Sequence, residues 1–249
     1  MTFDAYSLSI ILIGLAIGSF AKGLTGLGFP LVAIPFMATF LGAEHAIVVA
    51  QIPNMAANIW LCVSHRRELK VTPLRMDLLL PAALTVVVGV WFLDIWDDRI
   101  IIILLAVCLG GFLILLAVKP NFKLEGVADR IITPIASLIG GFFQGVTGVS
   151  APIFSTLIFS YRLKKESYVL YNAVVFGLFN IVQIAALIWL GMFTMERTIE
   201  GLLALIPLVF FQYLGMKAMG YISLHLFNVA VVVMLVVMEI KLIWDGVLN

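Results

Sequence analysis

Ten apolar runs, at about 5–21, 27–43, 46–63, 76–93, 100–118, 130–143, 149–160, 168–190, 200–216 and 222–244, take up nearly the whole chain. The polar connections between them, about ten residues at the longest, leave no room for a soluble domain. A helix needs ~20 predominantly apolar residues to cross the hydrocarbon core of a bilayer, and several runs approach that length. The chain therefore reads as an all-α integral membrane protein of eight to ten hydrophobic helices, one transmembrane domain over 1–249. Composition agrees: 63% of residues are hydrophobic and 12% charged, whereas about a quarter of an average soluble chain is charged. The start, MTFDAYSLSI, has neither the basic region nor the small-residue cleavage site of a secretory signal, so the first run is expected to be retained.

The connections sort by sign. SHRRELKV at 64–71 with Arg75, then Lys119, Lys123 and Arg130, then YRLKKE at 161–166 are basic, whereas LDIWDD at 93–98 and TMERTIE at 194–200 are not. The positive-inside rule makes the first three cytoplasmic and the last two external. The first two runs must then enter and return on the outer side, and the sixth and seventh from the cytoplasm. These four are expected to be shorter and to form two hairpins that either span or re-enter. Net charge is +1 and no basic patch is interleaved with aromatics, which excludes nucleic acid as a partner. Cys62 and Cys108 lie within or at the end of apolar runs and read as packed thiols rather than a disulfide.

Shifted by 122 positions, IGSFAKGLTGLGFPL from Ile17 aligns with IGGFFQGVTGVSAPI from Ile139, identical at seven of fifteen positions. The same register pairs Glu44 with Glu166 and Asn58 with Asn180; a four-residue adjustment pairs Pro81 with Pro207 and Gly89 with Gly215. The expected fold is two repeats, about 5–118 and 127–244, each a Gly-rich hairpin followed by three transmembrane helices. Three crossings is an odd number, so the second repeat enters upside down. Inverted repeats of this kind belong to secondary transporters, with the substrate site where broken helices meet near the midplane. KGLTGLGFP and QGVTGVSAP would be the hairpin tips, where freed amides, helix N-termini and hydroxyls favour an anion.

At these residues the sequence resembles the sulfite exporter TauE/SafE family of bacterial and archaeal membrane proteins. The doubled Gly-rich motif with its following proline, the half-chain repeat and the length carry the resemblance. It implies a plasma-membrane permease that exports small sulfur-containing anions such as sulfite, sulfonates or sulfoacetate, or carries other small organic anions. Where the family often has consecutive glycines, this chain has Gly26-Leu27-Gly28 and Gly148-Val149-Ser150, a change that would reshape the pocket.

The candidate substrate residues are Lys22, Gly23, Thr25 and Gly26 of the first tip and Gln144, Gly145, Thr147 and Gly148 of the second. Lys22 stands out because an ammonium inside an apolar run is costly and is placed there for a purpose. Gln51, Asn54 and Asn58 share one face of the third run, and Asn172, Asn180 and Gln183 one face of the eighth. Amides facing lipid are destabilising, so both stripes must point inward, to line a path or to join helices. Glu44 and Glu166 read as acidic first-turn residues that complement helix dipoles, with proton coupling, assisted by His45, as the alternative. No phosphate-binding loop, metal motif or cofactor motif is present, so coupling would be to a proton or sodium gradient, or to the anion's own. A channel, a non-transporting scaffold and an intramembrane hydrolase using Ser150 with His225 are the competing classes, and a homodimer is left open.

Overall fold

The computed structural model describes residues 5–25, 29–70, 74–118, 124, 126–218, 221 and 224–244, and all regular structure among them is helical. The helices are α1 (Ala5–Thr25), α2 (Phe29–Leu41), α3 (Ala43–Ser64), α4 (Met76–Ile95), α5 (Asp98–Val118), α6 (Gly126–Thr147), α7 (Ala151–Ser160), α8 (Lys165–Trp189), α9 (Met195–Leu203), α10 (Leu205–Ala218) and α11 (Leu224–Ile243), with a 3-10 turn at Arg66–Lys70. Seven stretches among the described residues are long and apolar enough to cross a membrane, one of them α9 and α10 taken together. The chain is a multi-pass membrane protein.

Two expectations are corrected. The first and sixth runs are not short: α1 has 21 residues and α6 has 22. Only the returning arms are, with 13 residues in α2 and 10 in α7. Each hairpin thus joins one full-length arm to one short arm. The ninth run is broken at Ala204 into α9 and α10.

The reason for the long arms lies in their glycines. A Cβ built at Gly89 of α4 would strike the Phe142 carbonyl oxygen of α6 and come within 2.9 Å of Gly145 Cα. One at Gly215 of α10 would strike the Phe20 carbonyl oxygen of α1 and come within 3.1 Å of Gly23 Cα. Gly23 and Gly145 therefore lie inside continuous helices, where a neighbouring backbone takes the space of the missing side chain, the close approach that small residues permit in membranes. Phe20 and Phe142, Gly23 and Gly145, and Gly89 and Gly215 are the pairs matched in the sequence alignment. Each long arm crosses a helix from the other half of the chain, so the halves interlock. Gly14 and Gly18 pack against Phe36 and Ala33 of α2, and Gly141 against Ala82 of α4.

The helix ends group as the loop charges do. On one side, Arg75 at the head of α4 pairs with Asp129 in the first turn of α6 at 2.6 Å, its backbone N–H donates to Tyr171 Oη of α8 at 3.1 Å, and Ser167 Oγ donates to Glu68 at 2.7 Å. On the other side, Arg197 of α9 pairs with Glu44 of α3 at 2.7 Å, and Lys241 of α11 donates to the Thr39 carbonyl of α2 at 2.8 Å. The described parts of the basic connections, 64–70 with Arg75 and 161–166, share the first side, and the connections at 93–98 and 194–200 the second.

Candidate functional site

Lys22 sits in the last turn of α1, near the helix's negative end, and is 4% exposed. Its Nζ donates to Asn58 Oδ1 at 2.7 Å and to Asn54 Oδ1 at 3.4 Å, both on α3. The Phe29 ring of α2 lies 6.0 Å away. No carboxylate among the described residues pairs with this amino group. Asn58 Nδ2 is buried with no acceptor among the described residues, so a free donor lies on the amide that holds the cation. The side chain of Thr25 and all of Gly26 lie outside the described residues.

In the second hairpin, α6 runs through Thr147 and stops at Gly148, whose φ of 68° is the left-handed conformation glycine tolerates. Three residues later α7 begins, with Pro152 set at its first turn, where a missing N–H costs nothing. Gln144, the alignment partner of Lys22, donates to Gln183 Oε1 of α8 at 2.8 Å and accepts from Ser150 Oγ. Gln183 in turn donates to the Gln144 carbonyl at 2.9 Å. Thr147 turns back on its own helix, donating to the Phe143 carbonyl at 2.7 Å. That is the local role open to a threonine at a helix end.

Described residues of both hairpins line one cavity. It is lined by Lys22 and Pro30 from the first hairpin, Gln144, Gly148, Ser150 and Ala151 from the second, Asn54 and Asn58 from α3, and Asn172 and Phe176 from α8. The volume open to the centre of a water-sized sphere is ≈ 20 Å³, about the room one water needs. No lining residue among the described residues is acidic. The groups that are not committed elsewhere are mainly donors: the ammonium, Asn58 Nδ2 and the N-terminal backbone of α7, whose dipole favours negative charge. Gly23 and Gly145 face α10 and α4 instead of the cavity.

Gln51 and Asn180, both fully buried, stand together one layer away: Asn180 Nδ2 donates to Gln51 Oε1, and Gln51 Nε2 to the Ile47 carbonyl at 2.8 Å. Asn172 donates to the Tyr168 carbonyl at 2.8 Å and accepts from Ser155 at 3.3 Å. The amide stripes of α3 and α8 thus supply part of the cavity wall and a buried amide pair beside it.

The sulfite exporter TauE/SafE family model matches residues 10–242. The chain belongs to that family. No curated protein and no solved structure matches the chain. Membership makes this a protein of a membrane transporter family for sulfite-like anions, and the TauE/SafE match covers the first hairpin from residue 10, the whole second hairpin, all the cavity-lining residues and both amide stripes.

Around this TauE/SafE site Glu44, Asp98, Asp129 and Glu166 lie in the first turns of their helices. The first turn of α3 is capped from a distance: Asp98 Oδ1 of α5 accepts from Ala43 N at 2.8 Å and Glu44 N at 3.0 Å. Glu44 itself reaches to Arg197. His45 Nε2 lies 2.8 Å from Glu200 Oε2 of α9, close but misaligned for a hydrogen bond. Glu166 is exposed and far from this cluster's side of the bundle. Sequence reasoning missed Glu200, Arg197 and Asp98, whose roles depend on which helix ends adjoin. Ser150 was weighed as a nucleophile; its hydroxyl is engaged with Gln144, and the side chain of His225 lies outside the described residues. At the opposite side Arg75, bonded to Asp77 and Asp129, is held above its ordinary value chiefly by the Asp77 hydrogen bond. It stays charged throughout the accessible pH range.

Proposed function

We propose that the protein is a secondary transporter of the cell membrane that exports a small sulfur-containing anion, sulfite or a sulfonate, by alternating access around the two hairpin tips. The observation that carries this reading is Lys22: a buried amino group held by amide oxygens, in a cavity lined from both hairpins and free of carboxylates among the described residues. Such a set attracts an acceptor-rich anion and repels a cation. Lys22, Asn54, Asn58, Gln144, Gly148 and Asn172 form the proposed binding set, with Ser150 added.

The closed size of the cavity supports a carrier. An oxyanion of four or more heavy atoms needs more than the space of one water, so binding requires the walls to part. Interlocked halves related by an inverted repeat, 5–118 and 127–244, supply two equivalent arrangements of the same contacts.

Thermal unfolding of the purified protein against sulfite, thiosulfate, methanesulfonate, sulfoacetate and acetate tests the reading, because a ligand that binds only the folded state raises its stability by mass action. A shift with sulfur anions that exceeds the shift with acetate is expected. Equal melting in every anion, with no uptake in proteoliposomes, sinks the assignment.

A further inference from the structure

We infer that Lys22 carries a proton that enters and leaves the site together with the anion, so that anion and proton move as a pair. The inference rests on the anion reading above and deepens it by naming the coupling ion.

The argument is one of charge balance. Helices α1, α2, α7 and α10 contain no Asp or Glu, and neither does the 26–28 connection. The acids of the other lining helices stand at their starts: Glu44 on α3, Asp129 on α6 and Glu166 on α8. At ~1.5 Å per residue, Glu44 is ~21 Å along the helix from Asn58, and Asp129 ~22 Å from Gln144. Glu166 is ~9 Å along α8 from Asn172 by the same rise, and it is exposed.

Among the described residues, the groups that contact the Lys22 amino group or line the cavity with it are neutral. They are Phe29 from α2, Asn54 and Asn58 from α3, Gln144 from α6, Ser150 from α7, and Asn172 and Phe176 from α8. From α10, the Gln212 backbone packs on the adjacent Gly23. Cys62, one turn after Asn58, is the titratable group that acts on Lys22. A buried charge is tolerated when it is paired and hydrogen-bonded, and amide dipoles alone offset only part of the lost hydration. The missing countercharge must arrive with the ligand.

When the anion binds, the lone pair of the Nζ amine takes a proton from water, and the ammonium–anion pair is neutral for a monoanion. When the anion leaves on the other side, Nζ returns that proton to water. Sodium does not serve at this position, because it would sit beside an ammonium among hydrogen-bond donors.

Calorimetry of the purified full chain at about pH 8 decides it, since the heat of binding in two buffers of different ionisation enthalpy gives the protons taken up per ligand. The probes are methanesulfonate and thiosulfate, anions of strong acids that bring no proton of their own. The expected result is a buffer-dependent heat equal to uptake of up to about one proton per anion, retained in Cys62→Ser and abolished in Lys22→Arg, whose guanidinium does not titrate. Binding with the same heat in both buffers overturns the coupling and leaves the anion site standing. No binding of either probe or of sulfite to folded wild type overturns both. Should Lys22→Arg not fold, the wild type and Cys62→Ser decide alone.

Discussion

Lys22 Nζ of α1 donates to Asn58 Oδ1 of α3 at 2.7 Å, a bond between the first hairpin and the helix that follows it. Asn58 is the residue that the internal alignment matches with Asn180, yet the two amides do different work: one holds the Lys22 amino group, the other a glutamine. The asymmetry arises because Lys22 stands where the second half has Gln144.

Lys22→Ala should remove anion binding. A hydrogen bond to a charged group is worth about 1.5–3 kcal/mol, which is roughly a 10- to 150-fold loss in affinity. The check is the anion-induced shift in melting temperature, which should vanish while the ligand-free variant still folds.

Asn58→Asp changes one atom and supplies the missing carboxylate. It should pair with Lys22, raise the stability of the ligand-free protein, and weaken anion binding by at least about 10-fold, since breaking or competing with a charge-assisted bond costs more than about 1.4 kcal/mol. Unchanged anion affinity in the variant would show that Lys22 does not face the ligand.

Gly89→Ala and Gly215→Ala each push a methyl into a backbone carbonyl of the crossing helix. Each should destabilise by about 1–3 kcal/mol, the range for overpacking. Gly111→Ala meets nothing within 4 Å, and its helix should gain up to about 1 kcal/mol from the better helix former. Thermal or denaturant melting in detergent separates the three.

Gln51→Ala and Asn180→Ala should be non-additive. Each single change leaves a buried partner unsatisfied, at about 1–3 kcal/mol, so the double variant should lose less than the sum, by at least about 0.5 kcal/mol. A Gln51/Gln212 cycle, with no bond between the two side chains, should be additive.

Asp98→Ala should fray the start of α3, at a cost of about 0.5–2 kcal/mol, as the loss of a capping side chain does. Hydrogen exchange at Ala43 and Glu44 reads it directly, because both amides donate to Asp98. Exchange at the start of α8 should not change.

The apolar period, the loop charges and the doubled Gly-rich motif were sufficient by themselves to determine a helical membrane protein, its ten apolar segments and the family. These are properties of local composition, and helices in a bilayer satisfy their backbones locally. What the glycines do was decided only by tertiary structure. Gly23 and Gly145 look like helix breakers in the sequence, yet they continue α1 and α6 because the backbones of α10 and α4 fill the space beside them. Gly148 does end its helix, and nothing in its immediate neighbours distinguishes it from Gly145. Likewise the sequence placed Glu44 at a helix start but could not show that Asp98, 54 positions away, caps that helix and leaves Glu44 to Arg197. A polar residue's partner in such a protein is set by which helix ends and faces adjoin, and that is a property of the packed bundle.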